Sequence, residues 1–423
     1  GKMKLFQQML VAGASLSLIA PIAAQASDVV NLEEMNSYSR SETKSSRLDS
    51  KTFINEISED LAVLKGRVDG LEVKQNEFEA GGFSETTTLD GKAIFDVASF
   101  DTDDDTYTGK TQFMYTYTMN LNTSFTGDDN LYTRIKTGNH GSWSKTKNVY
   151  NGYLSSANSN GDILEVDKLW YTAPFGENYT FTIGPKIENY YMHATTPSIY
   201  QPVLKAFALG GNASAYGAST SPGIGLAYNA DNGFAISSNV TSQAGNTTGV
   251  LNNESKISWA TQIGYTQPNY SVSAIANMKY NGWTDSYFMS TGGTARSGDG
   301  NSTNIGLRGW WRPTDADTAI PSISVGYDTS ETGASSNSNT TAYFVGLNWT
   351  DVLNADDKIG LAFGQPQKVE GETIDPFLYE LYYKYQVNDS VSITPAIFGG
   401  TSKNTSGTEV DSTGYIVQTT FKF

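Results

Sequence analysis

The chain has 423 residues, with 28 Lys and Arg against 44 Asp and Glu, a formal charge of −16, no Cys and two His. The acidic balance disfavours a nucleic-acid partner, the lack of Cys removes disulfides and thiolate metal sites, and His140 and His193 have no ligand-spaced neighbours. With no nucleotide-binding glycine loop, zinc spacing or nucleophile elbow, the sequence points to no enzyme class, and neither a cofactor nor a metal is expected.

Residues 1–26 read as a signal peptide. Lys2 and Lys4 precede an apolar stretch from Leu10 to Ala24, and Ala24-Gln25-Ala26 has the small-x-small form of a cleavage site, which places the mature start at Ser27. No later window approaches the roughly 18 uninterrupted apolar residues of a spanning helix. A membrane-integral form of this chain therefore has to be a barrel, whose strands satisfy one another's backbone groups. Residues 27–50 are Ser-rich and charged without an apolar period, as in a flexible polar tether.

From 51 to 80 the pattern changes. Ile54, Ile57, Leu61, Leu64, Val68, Leu71, Gln75 and Phe78 step by three and four, the a/d seam of a coiled coil, flanked by Lys65, Arg67, Glu72 and Lys74. Such a helix is about 35 to 40 Å long and would stand off the membrane into the periplasm. The alternative is a helix packed against the barrel mouth or plugging it. Gly81-Gly82 ends it.

Residues 84–423 carry strand period. Phe113, Tyr115, Tyr117, Met119, Leu121 and Phe125 interleave with Gln112, Thr116, Thr118, Asn120, Asn122 and Ser124. Strands begin near Leu89, Gln112, Leu131, Ile163, Tyr179, Pro222, Phe234, Ser255, Tyr270, Asn301, Ser322, Thr340, Asp357, Asp375, Val391 and Asp411, about sixteen in all. Short connections at 127–130, 174–178, 230–233 and 267–269 alternate with mostly long ones at 138–162, 187–221, 244–254 and 281–300. Short periplasmic turns and long outer loops are the habit of an outer-membrane barrel, and a soluble sandwich has no reason to follow it. In the last segment Tyr415, Val417, Thr419, Phe421 and Phe423 alternate with Ile416, Gln418, Thr420 and Lys422, as in a closing strand. The expected fold is all-β: a transmembrane antiparallel barrel of about sixteen strands, in the outer membrane and in contact with its lipid, behind a coiled-coil helix.

A barrel of that size holds water unless something narrows it. The longest connection, Ile187 to Ser221, is the candidate constriction. Lys186, Glu188, Tyr190, Tyr191, His193, Tyr200, Gln201 and Lys205 lie in or beside it. Aromatic faces beside hydrogen-bonding groups suit sugars, and charges of both signs suit a field acting on ions. An ordinary external loop is the alternative. Arg134, Lys136, Arg308, Glu380 and Lys384 oppose apolar neighbours in their strands. Because Arg or Lys on the lipid face costs about 2 to 4 kcal/mol at the midplane, these charges are assigned to the pore wall. Trp170, Tyr171, Trp310, Trp311 and Trp349 are assigned to interfacial girdles. Asp101, Asp103, Asp104 and Asp105 lack EF-hand spacing and read as a solvated first outer loop rather than a hard-cation site.

Three blocks carry a family resemblance: Met3-Lys4-Leu5-Phe6-Gln7-Gln8-Met9-Leu10-Val11-Ala12; Leu61-Ala62-Val63-Leu64-Lys65-Gly66-Arg67-Val68-Asp69-Gly70-Leu71-Glu72; and Lys168-Leu169-Trp170-Tyr171 with Pro174-Phe175-Gly176 and Phe181-Thr182-Ile183-Gly184-Pro185. Together they resemble cyanobacterial porins of the carbohydrate-selective (OprB) family over nearly the whole chain. The resemblance implies a sixteen-stranded homotrimeric porin passing small solutes passively, either sugars or inorganic ions including iron. Such relatives usually carry an S-layer-homology module that binds peptidoglycan. Residues 27–52 are too short and too polar to be that module, which leaves peptidoglycan binding without its usual carrier in this sequence. The competing reading is a structural anchor or spacer that uses the helix as its stalk. An active receptor for iron complexes needs about 22 strands and a globular plug, and the sequence offers neither.

The mixed Ile, Leu and Val of the seam do not force a dimer, so three helices are expected to associate beneath three barrels. Leu61→Asp with Leu64→Asp should dissociate the stalk and leave folded barrels. A peptide of residues 51–80 that stays monomeric and unstructured at high concentration in sedimentation and circular dichroism would remove the stalk.

Overall fold

The computed structural model describes residues 86–423 apart from 104–108, 142–149, 212–213, 218, 286–295, 298–299, 316–318, 333–338 and 404–406, together with Lys65 and Val68. The signal, tether and coiled-coil expectations lie outside the described residues, except that Lys65 and Val68 are helical.

The strands are β1 (Thr87–Thr102), β2 (Gln112–Thr123), β3 (Asn130–Gly138), β4 (Glu165–Phe175), β5 (Tyr179–Ile187), β6 (Ser221–Asn229), β7 (Phe234–Gln243), β8 (Lys256–Gln267), β9 (Tyr270–Tyr280), the short pair β10 (Thr284–Asp285) and β11 (Arg296–Ser297), β12 (Ser302–Trp311), β13 (Ser322–Thr332), β14 (Asn339–Thr350), β15 (Lys358–Val369), β16 (Phe377–Gln386), β17 (Val391–Lys403) and β18 (Glu409–Lys422). All but β10 and β11 form one closed barrel of sixteen strands, each next to its neighbours in chain order. Closure is made by antiparallel pairing of β1 with β18, from Lys92 opposite Lys422 to Thr102 opposite Ser412. Gly91 and Phe423 exchange backbone hydrogen bonds of 2.9 and 3.1 Å at the end of that seam.

Side-chain alternation is inverted relative to a soluble protein. Phe113 is 70% exposed and Leu307 52% exposed, whereas Thr116, Asn120, Gln262, Asn277 and Asn304 are buried inside the barrel. In β8, Trp259 and Ile263 face out while Ser258 and Gln262 face in. An apolar outer surface with every ladder closed on itself is what a hydrocarbon solvent demands, because it supplies no hydrogen bonds to a free strand edge.

β1 begins, and β18 ends, at the end of the barrel that carries the short connections at 176–178, 230–233 and 268–269. The opposite end carries the long ones at 139–164, 188–220 and 281–301. These are called the turn end and the loop end.

Two carboxylates organise the turn end. Asp129 accepts hydrogen bonds from the Phe125 and Thr126 amides (both 2.8 Å), the Ser124 hydroxyl and the Tyr171 hydroxyl (both 2.9 Å). Asp357 repeats the device with the amides of Val352, Leu353 and Asn354 (2.9 to 3.0 Å) and the Tyr383 hydroxyl (3.0 Å). In each, a tyrosine on the next strand but one ties the turn to the wall.

The girdle assignment needs correction at two positions. Trp170 is fully buried in the lumen, its ring centre 4.3 Å from Tyr132 and 4.6 Å from Tyr191. Trp310 is also buried and donates to the Thr196 carbonyl at 3.0 Å. Neighbours in a strand face opposite ways, so Trp170 cannot share a face with Tyr171, nor Trp310 with the outward Trp311. Of the Asp run, Asp101 lies in β1 and is exposed, and Asp104 and Asp105 lie outside the described residues.

Burial alone would raise the Asp129 and Asp357 carboxyl pKa values, but the turn amides outweigh it and hold both below the usual carboxylate range. A depressed folded pKa contributes stability above the unfolded value of about 4 and loses it as pH falls toward the folded value. Asp129→Asn and Asp357→Asn should therefore lower the thermal midpoint in detergent at neutral pH, and the deficit should shrink below about pH 4. A deficit that is constant down to acid pH would contradict the assignment.

Candidate functional site

The site is the lumen and the loop across it. Residues 188–211 leave β5 and run along the inner wall, with two short 3-10 turns at Asn189–Met192 and Lys205–Gly210. Pro197 and Pro202 deny the segment a continuous strand. Irregular backbone at membrane depth is tolerated where other groups satisfy it, and inward side chains do so here.

The acceptors occur in the order of the strands. The Ala194 amide donates to Ser237 of β7 at 3.1 Å, and the Thr195 amide to Gln262 of β8 at 2.9 Å. The Thr196 carbonyl takes Trp310 of β12. The Ile199 and Tyr200 amides share Ser324 of β13 at 3.1 and 3.2 Å, and the Gln201 amide reaches Asn348 of β14 at 3.2 Å. Finally Glu380 of β16 accepts from the Val203 amide (3.0 Å), the Leu204 amide (2.6 Å) and the Tyr200 hydroxyl (2.7 Å). The chain then turns back, and Arg308 of β12 donates to the Leu209 carbonyl at 2.7 Å and the Gly211 carbonyl at 3.0 Å. The return is close enough to require glycine in the wall, since a Cβ on Gly326 would lie 1.8 Å from the Gly210 carbonyl oxygen.

A second inward loop joins the first. Its described residues 150–164, between β3 and β4, meet the long loop at Leu154 and Leu204, both fully buried. The Ser155 amide donates to the Val203 carbonyl at 2.7 Å and the Lys205 amide to the Tyr153 carbonyl at 2.9 Å, a two-bond antiparallel bridge inside the lumen. Asp96 of β1 fixes the base of this loop, accepting from His140 Nε2 (2.7 Å), Ser156 Oγ (2.6 Å) and, on its other oxygen, Gln418 Nε2 (2.9 Å). His140 Nδ1 accepts the Asn158 amide, which leaves Nε2 as the donor to Asp96.

The residues singled out from sequence separate into groups. Tyr190, Tyr191, His193 and Tyr200 are buried, and Tyr191 packs on Trp170 and Tyr190. Their rings face protein rather than an open channel, which removes the expected sugar platform. Burial pushes His193 down to about 3, so it adds no charge at neutral pH. Glu188 accepts from the Tyr190 hydroxyl and lies 3.8 Å from Lys168 Nζ. Lys186 is corrected: it belongs to β5, is exposed, and donates to the Val166 carbonyl at 2.8 Å. Lys205 lies within electrostatic reach of Lys136.

Parity placed Arg134, Lys136, Arg308, Glu380 and Lys384 inside; Lys136 is half-buried and the other four are buried. Parity did not show what they touch. Arg308 pairs with Asp328 at 2.8 Å, lies over the Tyr216 ring and is covered by the loop, and Glu380 is 0% exposed beneath it. Both are corrected from pore charges to anchors of the loop. Arg134 is paired with Asp167 and donates to the Tyr191 hydroxyl at 3.0 Å. Sequence reasoning missed Asp96, Asp167 and Asp328, and read 138–162 only as a long outer connection. A cleft of about 70 Å³ lies toward the turn end and is lined by Lys92, Gln201, Pro202, Tyr382, Lys384, Ser392, Thr394, Gln418 and Thr420, among others.

Comparison with known proteins agrees with this architecture. A family model described as carbohydrate-selective porin, OprB family, matches residues 46–408. The chain is 27% identical over 415 residues to an uncharacterized protein of Nostoc sp., covering 87% of this chain and 71% of that protein. The high-pH structure of Pseudomonas putida OprB superposes with a TM-score of 0.56 at 10% identity, covering 83% of this chain and 96% of that one. A loop-deletion mutant of OmpT, an outer membrane protein of Vibrio cholerae, superposes with a TM-score of 0.53 at 12% identity, covering 80% and 99%. At these identities the two structures speak for the fold.

If Glu380 anchors the loop, Glu380→Ala should leave two amides and a hydroxyl unpartnered, each at about 1 to 3 kcal/mol. The expected result is protease cleavage within 198–207 and noisier, larger single-channel currents from a barrel that remains closed. Unchanged protease resistance and current noise would show that the loop holds without it.

Proposed function

The chain belongs to the carbohydrate-selective porin, OprB family, and from that footing we propose that it conducts small hydrophilic solutes, sugars or inorganic ions, passively across the outer membrane. The observation that carries this reading is the closed barrel with an apolar outside and a polar inside, whose lumen is narrowed by loops fastened to the wall. Driving force comes from the solute gradient alone. Size discrimination belongs to the gap left by 188–220 and 139–164, because hydrogen-bonded loop backbone holds its diameter better than free side chains would.

The fastening speaks against a purely structural anchor. A barrel that served only to hold a stalk would have no use for wall carboxylates and an Arg aimed at a loop inside its lumen. A homotrimer with a periplasmic stalk fits the same reading and is supported by the apolar seam at 54–78.

Liposomes containing the full chain should swell in monosaccharide faster than in trisaccharide. Removing residues 198–207, with closure of the barrel confirmed by resistance to detergent unfolding, should raise conductance and flatten the size dependence. A folded wild-type barrel that admits neither sugar nor salt would defeat the porin reading.

A further inference from the structure

Gln262 and Gly264 lie two residues apart on the inward face of β8, close to the turn end, and both act on Thr195 of the loop. Gln262 holds its backbone. The Oε1 atom accepts the Thr195 amide at 2.9 Å, and Nε2 donates to the Thr195 carbonyl at 2.8 Å. Gly264 receives its side chain. A Cβ at position 264 would lie 2.6 Å from both Cβ and Cγ2 of Thr195, and closer still to Oγ1. Because Thr195 Cβ is fixed by the backbone, no rotamer relieves that overlap. Thr195 is 2% exposed and its hydroxyl has no hydrogen-bond partner among the described residues, so its side chain is held by shape. Next to it, Ala194 packs with Ala227 of β6 and Ala235 of β7. Glycine inside a strand weakens it and marks a close backbone approach.

The loop is one layer of a stack that crosses the lumen. β8 lies half-way round the sixteen-strand ring from β18. In front of β18 is the turn-end cleft, bounded by Ser392, Gln418 and Thr420 of the wall and by Gln201, Pro202 and Val203 of the same loop. Thickening the contact at β8 therefore drives the loop toward the cleft. The wall resists moving instead, since Gly264 is in register with Ala235 of β7 on one side and Ser273 of β9 on the other. Ordinary carbon–carbon contact is about 3.5 to 4.0 Å, so an alanine at 264 displaces Thr195 by about 1 Å.

We propose that Gly264 is a positioning residue for permeation: by omitting one side chain it seats the loop against β8 and sets the width of the cleft across the barrel. It acts through Thr195 and touches no solute. This rests on the porin reading and assigns its size limit to a wall residue outside the passage.

The test uses the full chain, in planar bilayers for single-channel conductance and in liposomes for swelling in monosaccharide and trisaccharide. Gly264→Ala should resist detergent unfolding as wild type does, yet conduct less and lose trisaccharide flux before monosaccharide flux. Adding Thr195→Gly removes the overlapping atoms and should restore both readouts. Adding Thr195→Val keeps the volume and should restore neither. If Gly264→Ala alone fails to assemble, the pairing with Thr195→Gly should assemble and the pairing with Thr195→Val should not. Unchanged conductance and size dependence in Gly264→Ala, or an equal response to the two second-site changes, would overturn the seat and leave the porin reading intact. A folded wild type that passes neither sugar nor salt would overturn both.

Discussion

Everything in this molecule depends on the requirement that a strand facing lipid find a backbone partner on each side. β1 and β18 meet that requirement for each other through eleven register pairs, and the ring closes. Once it has closed, strand parity leaves no freedom: outward positions must be apolar, so the polar half of every strand is driven inward. A sixteen-strand circumference then encloses a wide polar cylinder. The cylinder is a consequence of the membrane rather than a feature added for transport.

That polar wall is what permits an irregular loop at membrane depth. Ser237, Gln262, Ser324, Asn348 and Glu380 take loop amides in strand order, so the path of residues 194–204 is written on the wall as much as in the loop. Two apolar clusters fill the space behind it, one around Leu204, Phe344 and Phe398, the other around Trp170, Tyr191 and Leu209. Most lumen acids and two arginines are consumed in holding these pieces together. The net charge of the chain therefore says little about the field inside the lumen.

Much of the barrel was legible beforehand. The expected starts at Gln112, Tyr179, Phe234, Tyr270, Ser322 and Val391 coincide with observed strand starts, and the other barrel strands begin within two residues of expectation. Alternation over ten residues is a strong signal because one misplaced residue would put a whole face in the wrong solvent. It determines a side, however, and not a partner. Arg308 and Glu380 were correctly sent inward, yet nothing local in their strands reveals the backbone of residues 203–211 waiting there. Trp170 and Trp310 were misread because composition was allowed to override parity. The role of 139–164 was invisible for a different reason: its contact with residues 203–205 is a backbone pairing, to which side-chain chemistry contributes no sequence signature.

The central claim is that two loops meet inside the barrel and divide it. Leu154 and Leu204 face each other across their bridge, and the chain has no Cys of its own. The variant Leu154→Cys with Leu204→Cys, oxidised in intact outer membranes, should form an intramolecular disulfide nearly completely while single-channel conductance stays at the wild-type level. If both thiols are instead alkylated separately by a membrane-impermeant reagent and no crosslink forms, the loops do not meet in the lumen and the account fails.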